Sequence, residues 1–539
     1  MGIPSYFRRI IQKFPGIVSQ KPTAAGSLCF DFNCLIYRCI RADSMASVPV
    51  PSASDPASVD VWEEALLKEV KKTVKEVWVV AGKPPVVFLA VDGVVPSAKI
   101  RQQRVRRFKS AWARGAGGPN GGTVSEGPKG YSGWDSNSIT PGTEFMQKLT
   151  RMLEGLVKEK PGWILSSVDE AGEGEHKIMN WLKRQVPGAA SVVYGLDADL
   201  ILLSMLTSEI TGIPIWLLRE KQEFGSKMSL DAAGEQEYTY MNVGECKRRM
   251  SITNYQETIN YIALMSLMGN DFLPHSVTHK LSDDGHECVV AEFSEMRRTG
   301  RWLVAEDKMQ LDVLGELCKR WSADEDGRMV KMIRAKREQA GRGVGRGMDA
   351  SEALPLEWDV EKAMVTRDGR LVENWRDVYW SWIHPAGCTK AAGKICSEYV
   401  FGCQWILDYY LGKEVNKFWM FPSWIPPLWS DLSGWLAEGK QAEGKQAEGQ
   451  ELEEVACPSR GEAVVNQIQP EEQLAMVLPL ESWGLVRSPQ LRRLPALAPQ
   501  MWPKQFSFFS VGRKWLWECE ARVPVLTAER LREILKGAE

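Results

Sequence analysis

Along the first half of the chain, apolar and polar positions follow two different periods in turn. Short runs rich in apolar and β-branched residues predict five strands, at residues 28–32, 86–91, 162–166, 192–196 and 214–218. Between them, longer amphipathic segments predict helices at residues 61–78, 97–113, 143–158, 175–185 and 200–205. Strands that alternate with helices in this way are typical of an α/β fold with a mostly parallel sheet flanked by helices.

The pattern changes in the second half of the chain. From about residue 254 the strand pattern fades, and longer helical patterns with many tryptophans predict a mostly helical second module. We therefore expect two domains, at residues 1–240 and 254–536. Three segments are predicted as loops or insertions: residues 115–133, 326–350 and 437–454. The last contains the repeat AEGKQAEGKQAEGQ and is expected to be disordered, because its composition cannot bury enough apolar surface.

Acidic residues occur in five short blocks, three of which follow a predicted strand directly. The seven acids in these blocks are Asp31, Asp92, Glu173, Glu175, Asp197, Asp199 and Asp271. Because open α/β sheets bind ligands at the carboxyl ends of their strands, we expect these side chains to converge. Any one of them could be a helix cap or a surface residue, but converging carboxylates repel one another unless cations neutralise them. Oxygen-rich sites suit Mg²⁺ or Mn²⁺, and paired ions of this kind cut phosphodiesters, so the blocks favour a two-metal nuclease.

Composition limits the class of protein, and the charge distribution contains one strongly basic segment. The 539 residues are 44% hydrophobic, enough for a large core, and they contain no apolar run long enough to cross a membrane. Eleven cysteines without a C-x-x-C pair indicate an intracellular, reducing compartment. The net charge of −2 gives no sign of nucleic-acid binding, but residues 99–114, KIRQQRVRRFKSAWAR, contain seven bases and no acid.

This basic segment is predicted to be a helix that begins just after the Asp92 block. At helical spacing, Lys99, Gln103, Arg106 and Arg107 share one face. Forked guanidinium groups can each bind a terminal phosphate through two hydrogen bonds, so this face is a candidate phosphate site. The alternative is a solvated basic face, and the position beside the acid blocks favours the phosphate site.

Two aromatic residues are candidates for stacking on nucleic-acid bases. They are Tyr37, a short distance after Asp31, and Trp419, in the segment KFWMF. Because the chain contains 22 tryptophans, most of them must belong to the core, and composition by itself favours that role for Trp419 as well.

Taken together, these segments resemble the XRN-type 5′→3′ exoribonuclease family. The matching segments, from residue 1 to about residue 526, are MGIPSYFRRIIQKFP, FDFNCLIY, AVDGVVPSAKIRQQRVRRF, DSNSITPGTEFM, AGEGEHKIM, YGLDADLILL, LLRE, MGNDFLPH, CQWILDYY, EEQLAMVLP and KWLWECEARVPVL. The resemblance implies a PIN-like, flap-nuclease-related core. It also implies processive, Mg²⁺-dependent removal of nucleotides from single-stranded RNA with a 5′-monophosphate end.

By motif position, the resemblance also implies roles for the candidate residues. The seven acids correspond to the family's ligands for two ions, Mg²⁺ or Mn²⁺. The family's 5′-phosphate pocket corresponds to Lys99, Gln103, Arg106 and Arg107. Lys99 is further expected to offset charge that develops in the transition state. Trp419 corresponds to a tryptophan near the terminal nucleotides, and Tyr37 stands where the family commonly has a stacking histidine.

Two alternatives stay open at this point. A structure-specific 5′ flap nuclease or DNA exonuclease would share the acid arrangement, although the EEQLAMVLP region favours the RNA enzyme. A non-catalytic RNA-binding scaffold would lack some of the acids, and all seven are present. The resemblance predicts a compact, monomeric family member in the nucleus or the cytoplasm. It leaves open any protein activator or decapping partner.

Overall fold

Eleven stretches of the chain are described by the structure, a computed structural model: residues 6–19, 22–51, 55–115, 133–195, 197–221, 236–281, 283–341, 359–383, 388–443, 467–514 and 518–537. The main sheet consists of β1 (Val18–Ser19), β2 (Ala25–Asp31), β3 (Val86–Ala90), β4 (Trp163–Ser166), β5 (Ala190–Tyr194), β6 (Ile215–Glu220) and β7 (Tyr238–Asn242). Their order across the sheet is β1-β7-β6-β5-β2-β3-β4. Strands β2 to β6 are parallel to one another, and β7 and β1 form an antiparallel edge.

The five predicted strands correspond to β2 to β6, so the predicted α/β fold with a mostly parallel sheet is confirmed. Phe32, included in the first predicted strand, instead begins a helix, and residue 196, the end of the fourth, lies outside the described residues. The edge strands β1 and β7 were not predicted, because β1 has only two residues and β7, YTYMN, lacks the continuous apolar run of the parallel strands. The parallel strands are the ones with the strongest apolar runs, as burial on both faces requires.

Helices cover the sheet and form most of the second module. They are α1 (Tyr6–Lys13), α2 (Phe32–Ile40), α3 (Asp43–Ala46), α4 (Pro56–Val80), α5 (Ser97–Gly115), α6 (Glu144–Lys158), α7 (Gly174–Leu182), α8 (Asp199–Thr211), α9 (Val243–Arg249), α10 (Tyr255–Ser266), α11 (Gly285–Thr299), α12 (Leu311–Ser322), α13 (Glu325–Gly341), α14 (Asp359–Ala363), α15 (Trp375–Ile383), α16 (Cys388–Leu411), α17 (Trp429–Glu443), α18 (Pro470–Val477), α19 (Pro489–Arg492), α20 (Leu494–Leu497) and α21 (Ala528–Lys536). Two small ribbons are β8 (Val304–Ala305) with β9 (Lys308–Met309), and β10 (Phe508–Phe509) with β11 (Glu520–Ala521).

The five predicted helices correspond to α4 to α8, and the mostly helical second module is confirmed. The prediction ended the last of them, α8, six residues too early. This helix continues to Thr211, where Gly212 adopts a left-handed φ of 69° and ends it. In the part of the chain that the structure describes, no helix combines the length and the apolar run that crossing a membrane requires.

The three predicted loops and insertions have different outcomes. Residues 326–341 belong to α13 and are not a loop, because Met329, Met332 and Ile333 give the helix a buried apolar face. Residues 437–443 continue α17, since the repeat is composed largely of good helix formers. Residues 116–132, 342–350 and 444–454 lie outside the described residues.

The sheet separates two apolar clusters, one on each face. Along β2, Leu28 and Phe30 point into the cluster under α2, α4 and α6, and Cys29 points to the opposite one. This second cluster includes residues from α7, α8, α10 and α16 and extends from Tyr6 to Val511. Because it spans both predicted modules, the division at residues 240–254 stays a prediction. A third cluster packs one face of α5 against α18 and α20.

Candidate active site

The carboxyl ends of β2 and β3 place the first two acids side by side. Asp31 is the last residue of β2 and pairs in register with Ala90 of β3, which Asp92 follows two residues later. Gly174 fits against both acids. Its N–H donates to Asp92 Oδ1 at 2.7 Å, and a Cβ at this position would lie 2.8 Å from Asp31 Oδ1. Glycine at residue 174 therefore allows three chain segments to meet.

Glu173 and Glu175 flank this glycine at the start of α7. Their carboxylate oxygens and a ring nitrogen of His176 lie within 4.8 Å of one another, and all three side chains are buried. Two positions apart on a regular helix, the glutamates would face different directions. They converge because Glu173 occupies the N-cap position with extended backbone angles (φ −77°, ψ 146°), and the helix begins only after it.

Asp197 and Asp199 lie between β5 and α8. Asp199 is the first residue of α8 and only 3% exposed, whereas Asp197 is half-buried. Burial raises the pKa of Asp31 well above its usual value, and the charges of Asp92 and Asp197 raise it further. These carboxylates therefore lie close enough to repel one another.

Asp271 reaches the cluster from the second module. The preceding Gly269 has a φ of 93°, and the side-chain oxygen of Asn270 accepts the backbone N–H of Phe272 at 2.9 Å. This tight turn presents Asp271 to α5, where its Oδ2 lies 2.7 Å from Lys99 Nζ. The structure thus brings all seven predicted acids to one place.

Lys99 joins acids from both modules. Its ammonium group forms ion pairs with Glu173 and Asp271. Burial would lower the pKa of Lys99, but these two carboxylates outweigh burial and raise it well above the usual value. Three residues further along α5, Gln102 Nε2 donates to Asp271 Oδ1 at 3.1 Å. The side of α5 that faces the cluster therefore begins with Lys99 and Gln102.

The cluster contains more negative charge than its buried position can support unaided. Burial first, and neighbouring carboxylates second, raise the pKa of Glu175 above its usual value and that of Asp199 to about 7. Asp271 is the exception, since Lys99 outweighs burial and holds its pKa well below the usual range. The cluster can be fully ionised at neutral pH only when further positive charge enters. Buried carboxylate oxygens from several segments are a donor set that fits divalent cations such as Mg²⁺.

Beyond the acids, the same helix carries the predicted phosphate pocket. Gln103 Oε1 and Arg107 Nη1 are buried and have no hydrogen-bond partner among the described residues. Burial lowers the pKa of Arg107 to about 10, and Tyr37 partly opposes this, which places Tyr37 within electrostatic reach of the guanidinium group. Arg106 is exposed on the same stretch. Arg107 Nη1 is a donor and, together with the exposed Arg106, fits an anion, whereas Gln103 Oε1 is an acceptor and does not itself bind one.

The opposite face of α5 is structural. Its bases donate to backbone carbonyl oxygens of the second module: Arg101 to Ser423 at 3.0 Å, Arg104 to Met476 at 2.6 Å and Pro524 at 3.1 Å, and Lys109 to Cys519 at 2.8 Å. Arg104 is only 2% exposed. These three bases were not part of the predicted phosphate face. They attach α5 to the second module.

Sequence reasoning missed several residues around the acids. Tyr409 donates its hydroxyl to Glu173 Oε1 at 2.9 Å, and its ring stacks on His176 with centroids 3.9 Å apart. Asn33 Nδ2 donates to Asp92 Oδ2 at 3.0 Å. Asn33 follows Asp31 by two positions in the FDFN block and could have been noted there. Tyr409 is 236 residues from Glu173, and no local pattern predicts a contact at that separation.

Trp419 packs in the core of the second module. The residue is 9% exposed, and its ring centroid lies 5.1 Å from that of Trp405 and 5.7 Å from that of Phe401. Its indole N–H donates to Glu398 at 3.0 Å. A contact between Trp419 and nucleotides stays a prediction, as do the roles assigned to the other site residues.

Comparisons with known proteins agree with the motifs. Residues 1–221 match the family model described as "XRN 5'-3' exonuclease N-terminus". Similar curated proteins include 5'-3' exoribonuclease 1 of Saccharomyces cerevisiae, 31% identical over 58% of this chain and 22% of the relative. The 5'-3' exoribonuclease 2 of Debaryomyces hansenii is 27% identical over 60% of this chain and 38% of the relative. The 5'-3' exoribonuclease 2 of Kluyveromyces lactis is 35% identical over 39% of this chain and 25% of the relative.

These relatives are much longer than the region they share with this chain, which spans 22–38% of their length. The matched N-terminal residues contain six of the seven clustered acids and the whole of α5. In its motifs, its geometry and its relatives, the chain is similar to the XRN family, whose N-terminal model matches residues 1–221.

Proposed function

We propose that this protein is a processive 5′→3′ exoribonuclease that degrades single-stranded RNA with a 5′-monophosphate end. The observation that carries the proposal is the arrangement along α5. Lys99 contacts the acid cluster, and Arg107, whose buried Nη1 is a donor without a partner in the described residues, follows on the same helix. The names of the relatives, 5'-3' exoribonuclease 1 and 2, support RNA as the substrate.

Two divalent ions, Mg²⁺ or Mn²⁺, are proposed to bind in the acid cluster. The proposed ligands are Asp31, Asp92, Glu173, Glu175, Asp197, Asp199 and Asp271. When bound, such ions polarise the scissile phosphate and stabilise the charge on the attacking and leaving oxygens. The chain keeps the carboxylates in place through outer hydrogen bonds. Asn33 orients Asp92, and Tyr409 orients Glu173.

A 5′-phosphate held by Gln103 and Arg107 would determine which bond is cut. Gln103 lies one helical turn beyond Lys99, roughly 6 Å along the axis. The terminal phosphate would therefore be held close to the acids, and each cut would release one nucleotide before the new end advances. Arg106 adds exposed positive charge beside the pocket. Lys99 offsets negative charge that develops in the transition state.

The two aromatic candidates are assigned different roles. Tyr37, half-buried and within electrostatic reach of Arg107, is proposed to stack on the terminal base. Trp419 is proposed to contact the terminal nucleotides only at the exposed edge of its ring, because most of its surface packs on Trp405 and Phe401.

The proposal is tested with end-labelled RNA that carries a 5′-monophosphate, with and without Mg²⁺. We expect the wild-type protein to release mononucleotides only with the ion present. Asp197→Ala and Asp199→Ala should lose nearly all hydrolysis, while Asp368→Ala, which removes an exposed acid that pairs with Arg370, should not. Near-normal hydrolysis by either cluster variant would contradict the proposal.

A structure-specific 5′ flap nuclease or DNA exonuclease is the alternative with related chemistry. Matched single-stranded RNA, single-stranded DNA and flap substrates of one sequence separate the two. The exoribonuclease proposal requires the single-stranded RNA to be degraded fastest. It also requires a 5′-hydroxyl or 5′-triphosphate end to be degraded more slowly than a 5′-monophosphate, because the proposed pocket is one in which the guanidinium groups of Arg106 and Arg107 bind one terminal phosphate.

A further inference from the structure

The carboxyl end of α16 brings two consecutive tyrosines from the second module to the acid cluster. Tyr409 has a clear role in the structure, because its hydroxyl donates to Glu173 and its ring stacks on His176. Lys183, just after α7, donates to the carbonyl oxygen of Leu411 at 2.8 Å. This bond satisfies a terminal carbonyl of α16 and fixes the end of that helix against α7.

Tyr410, the next residue, has no such role. It is 2% exposed, and its buried hydroxyl has no hydrogen-bond partner in the described ranges. Buried hydroxyl groups nearly always have a partner, and one without a partner costs stability. Its ring centroid lies 6.0 Å from that of His176, the residue that follows Glu175.

Tyr410 lies beside the acid cluster, because it follows the tyrosine that donates to Glu173 and its own ring lies near that of His176. After burial, the charges that most raise the pKa of Tyr410 are those of Asp199, Glu175 and Asp271, in that order. A tyrosine hydroxyl is a hydrogen-bond donor, and carboxylate oxygens are the strongest acceptors for such a group. The hydroxyl lies within electrostatic reach of these carboxylates, and no hydrogen bond joins them in the described part of the chain.

A second tyrosine on the same helix shows why the surroundings matter. Tyr399 is 1% exposed, and its hydroxyl also lacks a partner within the described part of the chain. Its ring packs on Phe421 at 5.8 Å, and after burial the groups that raise its pKa are the buried cysteines Cys403 and Cys318, not carboxylates. A partnerless hydroxyl alone thus carries no assignment. Tyr410 differs because it faces acids.

We propose that Tyr410 is a positioning residue of the acid cluster. With divalent ions bound, its hydroxyl donates to one of the surrounding carboxylates, Asp199 in the first place, and fixes the orientation in which that carboxylate binds the ions. Outer-shell hydrogen bonds of this kind set metal affinity. The second module thereby controls the ion site twice, through Tyr409 on Glu173 and through Tyr410. The inference rests on the proposed function.

The test compares Tyr410→Phe with Tyr399→Phe in the full-length chain. Each change removes one buried oxygen from α16 and leaves the ring, so both variants should fold. Thermal unfolding is measured first without divalent ions, then Mg²⁺ binding is measured by calorimetry without RNA. Mg²⁺ dependence of RNA hydrolysis is measured last.

We expect both variants to be at least as stable as the wild type without ions, because neither loses a hydrogen bond. Tyr410→Phe should bind Mg²⁺ about tenfold more weakly and need correspondingly more Mg²⁺ for half-maximal hydrolysis. Tyr399→Phe should match the wild type in both measurements.

Wild-type Mg²⁺ affinity in Tyr410→Phe would overturn the inference and leave the nuclease proposal standing. Reduced stability of Tyr410→Phe without ions would overturn it too, since the hydroxyl would then already have a partner. A wild-type protein without Mg²⁺-dependent hydrolysis would instead overturn the proposed function.

Discussion

At the scale of single residues, Lys99 holds together acids that would otherwise repel one another. It is 14% exposed and forms ion pairs with Glu173 and Asp271. Replacing it by methionine keeps the length of the side chain but leaves two buried carboxylates unpaired. We expect Lys99→Met to lower the free energy of unfolding by about 3 to 5 kcal/mol at neutral pH without divalent ions. Denaturant unfolding measures this loss.

The pH dependence of that loss follows from Asp271. Its pKa is held well below the usual range by Lys99, so its contribution to stability is present above the ordinary carboxyl pKa and disappears as the pH falls. The difference between the wild type and Lys99→Met should therefore shrink on acidification below pH about 4. A difference that stays constant down to that pH would mean that the lysine acts through packing.

Asp199 gives the opposite pH dependence. Burial and Asp271 raise its pKa to about 7, so between pH about 4 and 7 the folded protein binds more protons than the unfolded chain. In EDTA, stability should fall with rising pH across this window, by on the order of 1 kcal/mol per pH unit, and level off above it. Asp199→Asn should flatten the profile. Thermal unfolding at pH 5, 6, 7 and 8 gives the slopes, and an equally steep slope in the variant would assign it to other groups.

The residues of the site differ in how far the sequence could predict them. Asp31 and Asp92 were predictable, because parallel strands end at one edge of a sheet and the acids follow directly. Gln102 was not distinguished from Gln103, since a helical repeat of 3.6 residues places both near the Lys99 face. The contact of Tyr409 with Glu173 could not be predicted from the sequence, because it depends on how the second module packs.

At the scale of elements, α5 is a helix with two functions on two faces. Its existence and start were predicted correctly, but its charges suggested a single role. Where the helix meets the second module, Arg104 donates to the carbonyl oxygens of Met476, Met501 and Pro524. On the other side, Gln103 and Arg107 keep partnerless groups. Charge patterning cannot separate these faces, because backbone carbonyls leave no mark in the sequence.

A pair of variants separates the two faces of α5. Arg104→Leu leaves three buried carbonyl oxygens without a donor, and we expect it to lower the free energy of unfolding by at least about 3 kcal/mol. Arg106→Ala removes an exposed side chain and should leave stability nearly unchanged. Chemical denaturation of both variants makes the comparison. Equal losses of stability would contradict the division of faces.

The role of Arg106 in binding is tested with RNA substrates that differ only in their 5′ end. With Mg²⁺ present, Arg106→Ala should lower kcat/KM on 5′-monophosphorylated RNA by about tenfold, the effect of one lost charged hydrogen bond. On RNA with a 5′-hydroxyl the same change should have little effect, because no terminal phosphate is present. Equal losses on both ends would remove Arg106 from the phosphate pocket.

At the scale of the whole molecule, the two predicted modules share apolar clusters. Ala98 of α5 belongs to the apolar cluster that extends through α16, whereas Val105 and Phe108 belong to the cluster with α18 and α20. Asp271 and Tyr409 complete the acid cluster from the second module. The change from alternating strands to helices near residue 254 predicted a change of architecture correctly. It did not predict a shared core, because patterns of burial do not tell which elements pack together.

This shared packing predicts that the protein unfolds in one cooperative step. Leu494 lies fully buried in the cluster against α5, and Leu66 lies fully buried on the far side of the sheet. Replacing either by alanine should cost about 2 to 5 kcal/mol and shift one and the same calorimetric transition to lower temperature. In each variant, loss of helical circular dichroism and loss of Mg²⁺ binding should follow that transition. If Leu494→Ala instead produced a separate early transition that left the rest folded, the second module would be an independent unit, and Tyr410 could not control ion affinity through a common core.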